Sequence, residues 1–179
     1  METETRRTLL DRMLGAAKLD VATYEEVEAN VALTQQAGLV VLIVAVARGI
    51  GSSGHGLGGI FAGVVAALLG WLLWAGLTYL IGDKLLGGTA TWGELLRTLG
   101  YAQAPGVLAV LGVVGFLSGP VELVVSLWLL ATGIVAIRQA LDFGTGKAIL
   151  TAFLGWLVTT VAVLLLGLSV GGMSGVMGG

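Results

Sequence analysis

Cysteine is absent from the 179-residue chain, and histidine occurs only at His55. Disulfides, thiolate nucleophiles and cysteine-based metal sites are excluded, and a lone histidine cannot close a metal site within one chain. Charge is also scarce: Asp, Glu, Lys and Arg make up 11% of the residues, against about 25% in an average soluble protein, while 56% are hydrophobic. A water-soluble surface cannot be built from that composition. The net charge of -2 leaves no basic face to neutralise phosphates, so nucleic acid is not an expected partner. Proline is confined to Pro105 and Pro120, whereas glycine occurs 30 times.

The few charges are unevenly placed. Eleven of the 20 precede Val31, and the rest stand singly or in close pairs between long apolar stretches. The first 30 residues lack the apolar core of a signal peptide, so the first span is expected to act as its own insertion signal. A helix needs about 20 apolar residues to cross a hydrocarbon core about 30 Å thick. Charge-poor intervals of this kind place five spans, at 31–50, 60–81, 104–117, 120–139 and 148–170, within a domain covering 31–170. Residues 1–30 read as a cytoplasmic amphipathic and acidic segment, and 171–179 as a glycine-rich tail. The run Gly49 to Gly59, with six glycines and two serines, is expected to separate the first two spans without holding a helix. Ser118-Gly119-Pro120 is expected to form a tight hairpin between the third and fourth. The fold class expected is all-α: a polytopic membrane helix bundle of five transmembrane helices with short amphipathic surface helices. Placing the N-terminus in the cytoplasm puts eight of the nine Lys and Arg residues inside and only Arg48 outside, with the C-terminus exterior. In a prokaryote the membrane would be the plasma (inner) membrane.

Three shorter segments carry helical signals. Thr5 to Asp20 spaces Leu9, Leu10, Met13, Leu14 and Ala17 along one face, for burial either in the membrane surface or on the protein's own loops. Thr23 and Glu26 read as a capping box leading through Glu25, Glu26 and Glu28 to the first span. Thr91 and Glu94 form a second capping box, opening a surface helix over Leu95 to Tyr101, and Pro105 between Gly100 and Gly106 predicts a break before the third span.

Gly100-Tyr101-Ala102-Gln103-Ala104-Pro105, the apolar hairpin after it, the span ending Ala136-Ile137-Arg138 and the loop Gly144-Thr145-Gly146-Lys147-Ala148 together resemble the Yip domain family, the Ypt/Rab-interacting membrane proteins, in its short prokaryotic branch. Lys18 to Glu28 is similar to the leader before the first span of those members. The resemblance implies five spans and a cytoplasmic N-terminus. It marks Gly100, Tyr101, Pro105, Pro120, Thr145 and Lys147 as motif and structural positions, and it supplies no catalytic residue. Eukaryotic relatives are associated with trafficking, membrane shaping and Rab-type GTPases through a longer N-terminal region; its expected absence here argues against a Rab-type partner.

Apparent chemical motifs dissolve in context. Two G-x-G-x-x-G matches, at Gly49, Gly51, Gly54 and at Gly54, Gly56, Gly59, lack the strand, helix and acid that a dinucleotide site requires. Asp142-Phe143-Gly144 lacks the partner motifs of a kinase and reads as a connector between spans. Glu122 is the one candidate intramembrane ionisable group, a proton or cation site by default; an acid in a helix's first turn also suits the helix dipole. The most durable signal is packing: Gly59, Gly63 and Ala67 recur every four residues, as do Ala148 and Ala152, continued by Gly155. Trp71, Trp74, Trp128 and Trp156 are expected to pack opposite small residues. No cofactor and no enzymatic activity are expected. The reading is a protein that organises the bilayer, other membrane proteins or copies of itself as a homo-oligomer; a small transporter or channel and an accessory subunit of a larger complex are the alternatives.

Overall fold

The computed structural model describes residues 7–52 and 56–177, with side chains of the last helix as far as Ala162. His55 and Gly54 lie outside the described residues. Among those described, the structure is entirely helical: α1 Leu9–Ala17, α2 Val21–Ala29, α3 Thr34–Gly51, α4 Gly56–Thr78 continuing as a π-helical turn Tyr79–Leu85, α5 Trp92–Tyr101, 3-10 segments Ala104–Val113 and Gly115–Leu117, α6 Ser118–Ala140 and α7 Thr145–Met177. Four stretches are long and apolar enough to cross a membrane: Val31–Gly51, Gly56–Leu85, Gly115–Ala140 and Thr145–Ala162.

The short helices begin where side chains replace missing backbone partners. Thr8 and Asp11 cap α1 reciprocally, and Thr91 and Glu94 cap α5 in the same way. At α2 the cap is Asp20, not Thr23: the Asp20 carboxylate accepts from the Thr23 amide and hydroxyl, moving the helix start to Val21. The glycine-rich run is also more helical than its composition predicts. α3 continues through Gly49 to Gly51 and α4 begins at Gly56, leaving a short gap. In hydrocarbon every backbone polar group must be paired internally, and this outweighs glycine's low helix propensity. The helix of α7 likewise runs on to Met177, through much of the expected tail.

The third expected span differs most. Residues 104–117 wind as 3-10 helix, interrupted at Val114. Pro105 removes one amide donor, and the glycines weaken the α-helical ladder. The tighter winding lengthens the chain: at about 2.0 Å per residue Ala104–Val113 extends about 20 Å, where α-helix would reach only about 15 Å. It also repeats every three residues, so Gly106, Ala109 and Gly112 share one face. That face lies against α3. A Cβ on Gly100 would stand 2.9 Å from the Ala37 Cβ, one on Gly106 2.6 Å from Val44 Cγ1, and one on Gly112 3.0 Å from the Gly51 carbonyl oxygen. Positions 37, 44 and 51 of α3 thus meet 100, 106 and 112, so the two elements run parallel at backbone distance.

α5 is not a surface helix. Leu95 to Tyr101 are all buried, enclosed by α2, α3, α4 and α6. Trp71 reaches in from α4, its indole donating to the Leu96 carbonyl at 3.0 Å, with its ring on Gly38. α7 lies on α6, α4 and the π-helical turn, and its Gly155 faces the Trp74 ring. Trp156, by contrast, is 57% exposed and faces away from the bundle.

Gly100→Leu or Gly106→Leu should therefore destabilise the protein by about 1–3 kcal/mol or more, as overpacking does. Gly63, with nothing within 4 Å of an added Cβ, should tolerate leucine. Melting in detergent checks this, and equal losses at positions 63 and 100 would contradict the seam.

Candidate functional site

Arg97 of α5 is 4% exposed and forms no salt bridge among the described residues. Its Nε donates to the carbonyls of Val27 at 2.9 Å and Glu28 at 3.1 Å, and Nη2 donates to Glu28 as well. These are the last carbonyls of α2, which have no partner within their own helix and carry the negative end of its dipole. The guanidinium is thus a C-terminal cap delivered from another helix. Nη1 extends the contact to Thr34 Oγ1 at 3.4 Å, where α3 begins.

A second network secures α1. Arg12 donates from Nε at 2.9 Å and Nη2 at 2.7 Å to Glu26 Oε1, and more weakly to Gln36 Oε1, which also accepts from the Tyr101 hydroxyl at 3.0 Å. Tyr24, wholly buried, donates to the Ala16 carbonyl, and Trp128 of α6 donates its indole N–H to the Ala17 carbonyl at 2.7 Å. α1 therefore turns Arg12, Met13 and Ala16 inward while Leu10 and Leu14 stay 67% and 58% exposed. Leu9 packs inward with Met13 and Ala16, and Leu10 and Leu14 face out beside the exposed Asp11.

The family-like motif sits at this junction. Gly100 admits Ala37, Tyr101 is buried on Gln36, the Ala102 carbonyl accepts from Thr132 Oγ1 at 2.7 Å, and Pro105 stands in the first turn of the 3-10 helix. The other motif residues lie elsewhere. Pro120 is in the first turn of α6. Thr145 opens α7, three residues after Asp142, which at φ +53° accepts from the Thr89 hydroxyl. Lys147 donates to the Leu86 carbonyl at 3.2 Å and lies 5.0 Å from the centre of the Phe143 ring. Ala148 is fully buried, and Ala67 and Ala152 pack at the margin of the core.

Beside Arg97, burial and the like charges of Glu94 and Asp142 push the Glu28 carboxyl up to about 7. Asp11 and Asp20 move the other way, held below the usual range by bonds from Thr8 and Thr23.

At the far end, the C-terminus of α3 and the starts of α4 and α6 enclose a cavity of about 730 Å³ whose wall includes Gly59, Gly63, Arg48 and Glu122. A narrower cavity of about 340 Å³ adjoins it, with Trp71, Trp74, Leu129 and Gln103 in its wall; Arg48 borders both. Arg48 has no ion-pair partner among the described residues. Glu122 accepts only a long bond from Ser126 at 3.4 Å. The sequence singled out Glu122 and missed Arg48, which its position inside the first apolar interval could have revealed.

Apolar helices of spanning length around a buried, polar-capped core define a multi-pass helical membrane protein. The Yip1 domain matches residues 24–171, and the chain belongs to that family. The match begins within α2 and leaves α1 outside it. No curated protein and no solved structure matches the chain.

Arg97→Leu should cost about 3 kcal/mol or more, because it leaves the α2 carbonyls buried without donors, and Arg97→Lys should restore only part of this. Detergent melting of both variants checks the order. Glu28 generates a pH dependence of fixed sign. Between pH 4.5 and about 7 the unfolded chain has lost this proton and the folded one keeps it, so stability falls as pH rises through that window and levels off above it. Glu28→Gln should melt higher than the parent above pH 7 and converge with it at the acid end. Parallel curves for the two proteins would refute the assignment.

Proposed function

We propose that this Yip-type protein organises the bilayer and the membrane proteins around it, with lipid as its first partner and α1 as the contact. The observation carrying this reading is the outer face of α1: Arg12 is consumed by Glu26 and Gln36 inside the protein, while Leu10 and Leu14 point outward. At a membrane α1 is an interfacial helix whose outward leucines enter the acyl boundary. Attachment through Arg12, Tyr24 and Trp128 makes it a rigid extension of the bundle, so its insertion displaces lipid on one side only. The Lys and Arg distribution favours the cytoplasm for that side. Residues 104–117, extended by 3-10 winding, make the fifth crossing and leave the C-terminus exterior. Gly59, Gly63 and Ala67 form an open small-residue face on which a second copy or another membrane helix could pack.

The Glu122 cavity favours a second reading, a small transporter, which predicts solute-dependent thermal stabilisation.

A spin label at Leu14→Cys in reconstituted vesicles tests the first reading. Collisions with dissolved oxygen should exceed those with a water-soluble nickel complex, as for a lipid-embedded site. Dominant nickel collisions would place α1 in water and remove its membrane role. A native pull-down from the source membrane that recovers a protein in fixed stoichiometry would identify what is organised.

A further inference from the structure

We propose that the paired cavities at the far end of the bundle bind one phospholipid with a primary-amine headgroup. Its phosphate would lie on Arg48, its ammonium on Glu122, and one acyl chain in the narrower cavity. Three observations converge on this ligand. First, Arg48 and Glu122 both lie within spanning segments, and an ionisable group at that depth requires a partner. They share one cavity wall without forming an ion pair with each other, so a cation and an anion are held apart across an open space. A zwitterion fits that space; a simple anion or cation would leave one of the two charges unanswered.

Second, the cavity wall is prepared for a phosphodiester. Guanidinium is planar and presents paired donors to phosphate oxygens. Ser118 and Gly119, at the start of the 23-residue α6, lie in the same wall, with the Ser118 amide already donating to the Gly115 carbonyl, so Arg48 is the phosphate's donor. Gly106 makes room for Arg48, whose Nε lies 3.7 Å from where a Cβ would stand. Gly63, with nothing within 4 Å of an added Cβ, leaves the space beside it open.

Third, the space changes character past Arg48. The adjoining cavity is bordered by Trp71, Trp74, Leu99 and Leu129, with Gly70 and Gly133 leaving room between them. Its volume of about 340 Å³ and apolar border would take part of an acyl chain, and the Gln103 amide in the wall can donate to an ester carbonyl. A soluble phosphate compound would have no use for this compartment. Headgroup pocket, cation and apolar sleeve follow one another in the order of a phospholipid's own parts.

The full chain, purified in detergent, would be titrated with phosphatidylethanolamine, phosphatidylcholine, diacylglycerol and soluble phosphoethanolamine, with bound lipid read by native mass spectrometry. Phosphatidylethanolamine should bind about tenfold or more tightly than each of the others, about 1.4 kcal/mol of preference. Arg48→Gln should weaken the ethanolamine and choline lipids alike, towards the level of diacylglycerol. Glu122→Gln should make the ethanolamine and choline lipids equivalent, since a quaternary ammonium has no N–H to donate. Gly63→Leu, whose side chain enters open space, should reduce lipid binding while the protein still folds, so the test survives a misfolded arginine variant. Undiminished phosphatidylethanolamine binding in both Arg48→Gln and Gly63→Leu would overturn the proposal. Phosphoethanolamine binding as tight as that of the lipid would also overturn it, in favour of a soluble-anion site.

Discussion

The structure depends on one buried cation. Arg97 lies inside the bundle and draws its acceptors from the carbonyl end of α2, so the N-terminal helices and the central helix each complete the other. An unpaired guanidinium at this depth would be strongly unfavourable, and so would the orphaned carbonyls of α2. Bringing the two together removes both penalties at once. It also explains how a helix with polar residues at Glu94, Arg97 and Thr98 can be enclosed on all sides: Thr98 bonds within its own helix, Glu94 caps the helix start, and Arg97 bonds outward.

The seam between α3 and residues 100–112 follows from this arrangement. Once α5 is drawn inward beside the start of α3, the chain beyond it must run alongside α3. Seven residues of α-helix advance about 10.5 Å and turn close to two full revolutions, while six residues of 3-10 helix advance about 12 Å and turn two revolutions. Val44 and Gly51 on one side and Gly106 and Gly112 on the other therefore keep facing each other. The winding of residues 104–113 is thus matched to its neighbour. Its glycines serve closeness of approach at Gly106 and Gly112 more than flexibility.

Much of this was legible in the sequence. Membrane class, helical content, the α5 capping box, the break near Pro105 and the family all follow from residue types and spacing. The six-residue recurrence of Gly100, Gly106 and Gly112 was also visible, but it signals a shared face only for a three-residue period, and a search for four-residue spacing passes over it. Burial of α5 and the inward turn of Arg12 were hidden because a helical charge pattern is ordinarily oriented toward water. In this chain carbonyls and a glutamate take water's place, which depends on contacts between residues about 70 positions apart that no local pattern encodes. Arg48 was counted only as the one exterior cation of the charge balance, although it falls inside the span expected at 31–50.

The bundle and the N-terminal helices are thus one cooperative body, with the wall around Arg48 and Glu122 built at its opposite end by the same close-packed elements. Hydrogen exchange of the full chain in detergent tests that claim most directly. The amides at the C-terminal end of α2 should be protected to the same degree as those of α5 and should open together with them. Rapid exchange throughout α1 and α2 while α5 stays protected would show the N-terminal helices to be an independent tail, and would contradict the role assigned to Arg97.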